Sequence, residues 1–328
     1  MDRFLIIRLS SLGDIIHTLP AFAALRRHFP EARITWVVER PGKTILDHVP
    51  GIDDIVVRGT PGWIRRIRNR DQVAMDFQGL VKSGLVAFLS RARTRIGFGR
   101  DNLKEKASSL FYTDRLEKIP EDGHVIGKNL RLLSKLGIRD DAYEFPLRLP
   151  EDLRQSVRNR LAGLGFPAGK KLVVCNVGAA WETKRWPAEG WIRLLGGLNR
   201  PEAFPVLLWG NTEEKKLAEA VHRTSGAAVA PFLAVPETMA LIQAAALVVS
   251  GDTFALQAAC ALSVPVVGIF GPTNPRRNGP FRPLDRVVYL AAECAPCYQR
   301  TCAAVRCLLD ISPDEVARSV RELLDASE

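Results

Sequence analysis

The chain of 328 residues contains no apolar run approaching the roughly 18 to 20 residues that a bilayer-spanning helix requires. It does not open with the charged, apolar and small-residue pattern of a secretory signal, so a cytoplasmic protein is expected. Cysteine is scarce: six in the whole chain, too few for a disulfide scaffold of this size. There is no G-x-x-x-x-G-K-[ST] loop and no clean G-x-G-x-x-G after the first apolar run, which removes support from P-loop ATPases and simple dehydrogenases. No low-complexity segment and no nucleic-acid recognition motif occur, and basic and aromatic residues interleave only briefly. Nucleic acid is therefore not an expected partner, and a basic nucleic-acid-binding protein stands only as the non-enzymatic alternative.

What is present is ample core and positive charge. Hydrophobic residues make up 47% of the chain, enough for two domains. The net charge of +10 favours anionic partners: nucleic acid, an acidic membrane face or phosphorylated substrates.

Short β-rich runs alternate with helical patterns from the start: FLIIRL, then 15–29; ITWVVE; DDIVVRG; QVAMDF, then 80–89; TRIGFG. That is the rhythm of βαβ units. HVIGKNLRLLSKLG follows as a long helical pattern, and the prolines of YEFPLRLPED put a boundary near residue 150. The rhythm restarts at KLVVCNVGA and runs through PVLLWG, NTEEKKLAEAV, LVVSG and PVVGIFG. The fold class expected is α/β, two doubly wound Rossmann-like domains over 1–150 and 151–328. Ser312, Pro313 and Glu315 read as a capping box opening a final helix.

In open parallel sheets ligands gather beyond the carboxyl ends of the strands, where helix N-termini offer free N–H groups. That rule selects Ser10, Ser11, Gly13 and Asp14 after the first strand. Pro20 predicts a regular helix beginning near Thr18, leaving the serines and Asp14 on an irregular approach. The alternative, that they merely cap a helix, stays open. In the second half NVGAAWETKRWP places Lys184 before a helix start, WGNTEE offers Glu213 and Glu214 to a ribose hydroxyl, and SGDTFALQAAC puts Asp252 and Thr253 at another helix start. Each of these alone also reads as an ordinary cap or loop.

Together these stretches resemble the ADP-heptose:lipopolysaccharide heptosyltransferases, glycosyltransferase family 9, over essentially the whole chain. SSLGDIIHTLPA is similar to the family's opening motif, DFQGLVKSG to its D-x-Q-G-L-x-K-S element, and WGNTEEKKLA, VVSGDT and GIFGPTNP to its donor half. DFQGLVKS with SSLFY resembles the type I branch, which adds the first heptose to Kdo on lipid A. The resemblance implies a GT-B fold, two domains facing a central cleft, with the acceptor bound by the N-terminal domain and the nucleotide sugar by the C-terminal one.

It implies an inverting glycosyltransferase that needs no metal or cofactor, with Asp14 as general base and Lys184 on the donor diphosphate. Donor contacts fall on Gly178, Ala179, Ala180, Glu214, Leu233, Asp252, Thr253, Phe254 and Gln257. Acceptor contacts fall on Ser10, Ser11, Gly13, Gln78, Lys82, Arg65 and Arg66. The implied partners are ADP-heptose, a lipid-linked anionic acceptor and the inner face of the inner membrane, where the protein would be peripheral. Two stretches depart from the family: Phe254 and Gln257 stand where D-T-G-x-x-H carries glycine and histidine, and GAA at Gly178 to Ala180 lacks hydroxyls often found there, which keeps open a transferase of another sugar or acceptor.

Three features remain. GWIRRIRNR (62–70) is basic and amphipathic, suited to anionic lipid, to gripping acceptor phosphates or to a solvated helix face, and is tipped toward lipid by the implied substrate. Cys294, Cys297, Cys302 and Cys307 read as structural thiols first, a metal site second and a redox disulfide third. Of the histidines His17, His28, His48, His124 and His222, none shows ligand spacing, and only His17 lies near enough to Asp14 to reach a substrate.

Overall fold

The apolar runs become strands because each is short, β-branched and bounded by turn residues. In the computed structural model, which describes residues 2–120, 123–198 and 200–326, the chain divides into two compact units, Met1–Arg148 and Leu149–Glu328.

The first unit holds β1 (Arg3–Ile7), β2 (Arg33–Val38), β3 (Asp54–Val57), β4 (Val73–Asp76), β5 (Thr94–Phe98) and β6 (Asp114–Leu116). They form one six-stranded sheet in the order β3-β2-β1-β4-β5-β6, all pairings parallel. The second unit holds β7 (Lys171–Asn176), β8 (Ala203–Leu208), β9 (Ala228–Val229), β10 (Leu247–Gly251), β11 (Val266–Phe270) and β12 (Arg286–Tyr289), in the order β12-β11-β10-β7-β8-β9, also parallel throughout. Each order is the doubly wound one: the first strand of the unit lies between its second and its fourth. The crevice where the winding reverses therefore opens beyond β1 and β4 in one unit and beyond β7 and β10 in the other. Helices cover both faces, so the central strands are buried without alternation; Phe4 to Ile7 are at most 1% exposed.

Several local expectations change. The single helix expected over 15–29 is two, Leu12–Ile16 and Leu19–His28, so Gly13 and Asp14 lie inside a short helix and not on an irregular approach. Ser11 takes an extended backbone and Asp14, three residues on, accepts its N–H and its hydroxyl at 3.2 and 2.9 Å, which nucleates that turn. Pro20 then opens a second helix after Thr18. The final helix forms over Pro313–Asp325, but Ser312 makes no side-chain cap hydrogen bond, so the capping box expected there is not closed. The helices Arg40–Leu46, Glu151–Gly163 and Val235–Gln243 and the strand β12 were not legible as separate elements. Glu151–Gly163 was masked by the prolines read as a boundary.

Candidate active site

In the first unit the buried strand β1 runs straight into a charge. Arg8 is buried, donates to the carbonyl of Phe77 and meets Asp14 Oδ1 at 2.6 Å. Asp14 thus holds three partners, Arg8 and both Ser11 donors, while its side chain stays 38% exposed. Burial, the largest influence, pushes the Asp14 carboxyl up, but Arg8, His17 and Ser11 together outweigh it, and the group titrates below its ordinary value. The capping reading is therefore met, and the same side chain presents an ionised carboxylate.

The loop after β4 reaches across to the same place. Leu9 N–H donates to Gln78 Oε1 at 2.9 Å, so Gln78 stitches the two strand ends together. Lys82 Nζ lies 3.0 Å from Glu39 Oε1 and 3.4 Å from Ser10 Oγ. Beneath them the fully buried Asp76 accepts from Tyr112 OH at 2.7 Å and from the N–H groups of Gln78 and Gly79 at 2.8 and 3.1 Å. Burial raises the Asp76 pKa against those donors. Asp76 is thus the rigid floor that fixes the 76–79 turn.

Two expectations fail here. Arg66 bonds Asp54 Oδ1 at 2.5 Å, and Asp54 is the first residue of β3, so in a parallel sheet Arg66 belongs to the amino edge, away from Ser10 and Asp14, while Arg65 is exposed on the same short helix. His17 is buried, 4% exposed, with its ring edge-on to His124 at 5.7 Å; it packs and does not face a substrate.

In the second unit Asn176, at the end of β7, organises the crevice. Its amide donates to Gly178 O at 3.0 Å, Ser250 Oγ at 3.1 Å and Thr253 Oγ1 at 3.0 Å, tying β7 to the end of β10. Thr253 is the N-cap of the helix Phe254–Ala261. Lys184 Nζ meets Asp252 Oδ2 at 2.7 Å and sits 4.3 Å from the Trp181 ring centroid, and both members of the pair are largely buried. An ammonium has three donors, and a second reaches Asp252 O at 3.3 Å. Asn278 lies beside the pair, with Nδ2 3.5 Å from Asp252 Oδ2, and its carbonyl accepts from Gln257 Nε2 at 2.7 Å. Gln257 is buried and held; Phe254 stands half-buried in the first turn.

Glu214 is buried and accepts from Gly210 N–H at 2.7 Å. A Cβ on Gly178 would stand 2.1 Å from Glu214 Oε2, so only glycine lets the 178–180 loop lie against that carboxylate. Ala179 is buried and its carbonyl accepts from Arg185 Nε at 2.9 Å, while Ala180 is exposed. Leu233 is buried and lines a small apolar cavity with Val157, Leu161 and Leu241. Every expected donor residue other than Leu233 therefore follows β7, β8 or β10 at the carboxyl edge of the sheet; Leu233 follows β9.

Sequence reasoning missed Arg8, Glu39, Asp76, Asn176, Trp181 and Asn278. Arg8 had a signal, a charge ending an apolar strand, since such a charge must be paired if buried. The four clustered cysteines are free thiols, with Cys307 buried. Among the described residues no group of three or more His, Cys, Asp or Glu side chains is arranged to hold a metal ion.

The family model of Glycosyltransferase family 9 (heptosyltransferase) matches residues 63–307. The chain belongs to glycosyltransferase family 9. This family 9 enzyme is 30% identical to lipopolysaccharide heptosyltransferase 1 of Pseudomonas aeruginosa, over 92% of this chain and 87% of that one. It is 29% identical to lipopolysaccharide heptosyltransferase 1 of Escherichia coli K12, over 83% and 89%. Among solved structures, a family 9 glycosyl transferase from Veillonella parvula superposes with a TM-score of 0.83 at 20% identity, covering 99% of this chain and 97% of the other. E. coli heptosyltransferase WaaC with ADP-2-deoxy-2-fluoro heptose gives 0.74 at 21% identity, over 99% and 100%. The fold is that of these GT-B glycosyltransferases, α/β with two parallel sheets.

Proposed function

We propose that the enzyme transfers a heptose from ADP-heptose to a Kdo-bearing, lipid-linked acceptor of the lipopolysaccharide inner core, with inversion and without a metal ion. What supports the donor and the product is kinship with the lipopolysaccharide heptosyltransferases and with a structure holding an ADP-heptose analogue. What carries the mechanism is Asp14: a carboxylate kept ionised by Arg8 and Ser11, oriented by three donors and still exposed at the sheet's switch point.

The chemistry places one demand on each unit. As ADP departs with the bonding electron pair, the anomeric carbon gains oxocarbenium character and the attacking acceptor hydroxyl becomes acidic. Asp14 takes its proton at that stage, so a carboxylate of low pKa suffices as base. The leaving diphosphate gathers negative charge, which Lys184, the backbone N–H groups of the 178–180 loop and the helix start at Thr253 stabilise. Glu214 holds the ribose.

Asp14→Asn keeps the shape and the Ser11 contacts while removing the base. Its kcat should drop roughly 10²- to 10⁴-fold with ADP affinity unchanged, as read by mass-spectrometric assay of heptose addition and by calorimetric titration. Near-wild-type turnover would end the assignment.

A second reading keeps the reaction and changes the sugar. Phe254 stands in the first turn after Thr253, and the Gln257 amide is engaged with Asn278 O, leaving the sugar subsite with a bulky apolar ring and no titratable donor from those positions. A panel of nucleotide sugars against one acceptor separates the two: preferred turnover of a sugar other than heptose supports the second.

A further inference from the structure

The segment expected to meet lipid, 62–70, has its apolar side spent. Ile67 is 1% exposed, Trp63 packs on the core of the first sheet, and Arg66 is paired with Asp54. The uncovered apolar surface of this unit lies elsewhere. The helix Val81–Leu89 buries Ser83, Gly84, Val86 and Ala87 and turns outward Val81, Leu85 and Phe88, at 39, 43 and 55% exposure. These are positions i, i+4 and i+7, one continuous stripe, where a solvated helix would carry charge. Beside it the 3₁₀ segment Lys106–Phe111 raises Leu110, at 78% the most exposed large apolar side chain among the described residues. Phe111 sits 6.3 Å from the Phe88 ring, and Gly84 admits it, since a Cβ there would stand 2.6 Å from the Phe111 ring.

The segment that joins the helix to the 3₁₀ turn carries charge of one dominant sign. Residues 91–106 carry Arg91, Arg93, Arg95, Arg100, Lys104 and Lys106 against only Asp101 and Glu105. Arg95 lies over the Phe88 ring at 6.0 Å, and Glu105 is occupied by the Val81 N–H at 2.7 Å. Apolar side chains with Arg95 against them and a basic connecting segment match a bilayer surface of anionic lipid, with acyl chains for the stripe and phosphates for the cations. A protein interface also sets an apolar core within a polar rim; the excess of positive charge in the adjoining segment is what favours anionic lipid over a second protein surface.

The geometry points to the face of Val81, Leu85, Phe88 and Leu110 as the surface by which this enzyme seats itself on an anionic lipid membrane. The inference rests on the lipid-linked acceptor of the proposed function. It adds the reason the surface stands where it does: Lys82, in the first turn of the same helix, reaches Ser10 and Glu39 at the carboxyl edge of β1. A docked helix would thus hold the Asp14 crevice at the depth where a lipid headgroup emerges.

Co-sedimentation of the full chain with vesicles of phosphatidylethanolamine and phosphatidylglycerol tests it, with phosphatidylcholine vesicles as control. The wild type should bind the anionic vesicles only, and L85S/F88S/L110S should lose binding by more than about tenfold while its melting temperature and its turnover of a short-chain, soluble acceptor are kept. The single variant Leu110→Ser should lose part of the binding and serves if the triple variant melts early. Equal binding by wild type and variants overturns the inference, and so does failure of the wild type to bind anionic vesicles. Conversion of a wild-type dimer into a monomer by the same substitutions, without vesicle binding, assigns the face to a second copy of the chain and also overturns it. Lipid binding as expected with no heptose transfer leaves the surface standing and removes the proposed reaction.

Discussion

Arg8 and Asp14 form a pair whose energetics would set the acid side of the reaction with Asp14 as the proposed base. Desolvation pulls the Asp14 pKa up and Arg8 pulls it down, with the pairing ahead. Because the folded-state pKa lies below the ordinary value, the stability contributed by the ionised group is present above the unfolded pKa and is lost as pH falls through the folded one. The acid limb of kcat/KM should follow the same group. Arg8→Met removes the guanidinium, leaves burial dominant and should move that limb to higher pH, measured as a full pH–rate profile. The thiols offer an independent check on local environment. Burial pushes Cys175 up to about 12 and raises Cys260 as well, whereas the exposed Cys302 is lowered by the N–H groups of Ala304 and Val305. Iodoacetamide at neutral pH should label Cys302 first and leave Cys175 and Cys260 unlabelled in the folded protein, as peptide mapping would show.

At the scale of elements, the binding loops are held in place by other loops. Asn176 ties β7 to the turn after β10, Gln78 ties β1 to the turn after β4, and Gly178 exists as glycine because Glu214 occupies the space of its Cβ. Gly178→Ala should displace the Glu214 carboxylate, and, with Glu214 as the proposed ribose partner, loss of one charged hydrogen bond, about 1.5–3 kcal/mol, should weaken ADP binding roughly 10- to 100-fold by calorimetry, with the melting temperature little changed. Strands and most helices were legible because period and punctuation are local. The break at His17 and Thr18 was half legible: Pro20 marked the second helix, but the short first one depends on the Ser11–Asp14 bonds closing. The open cap at Ser312 shows the converse, since a matching motif fixes which bonds are possible and not which form. Arg66 was misplaced because amphipathic spacing says nothing about which edge of a sheet a helix end approaches.

For the molecule as a whole, the two units repeat one topology, so each has one switch point and one crevice at the carboxyl edge of its sheet. If the second unit is the donor half, ADP should raise the melting temperature of the full chain selectively over UDP and GDP. At a ligand concentration of about 100 Kd the stabilisation is roughly 2.7 kcal/mol, a shift of several degrees by scanning fluorimetry. Equal shifts with all three nucleotides would remove the adenosine preference. No helix among the described residues is long and apolar enough to cross a membrane. By itself the sequence determined the α/β rhythm, the two repeats and the residues that follow each strand, because hydrophobic period and turn chemistry act over a few neighbours. The tertiary structure alone decided that Arg8 restrains Asp14, that Asp76 and Asn176 fix the turns, and that the lipid-suited face belongs to Val81–Leu89. Those outcomes depend on which distant segments share a buried volume, and no local pattern encodes that.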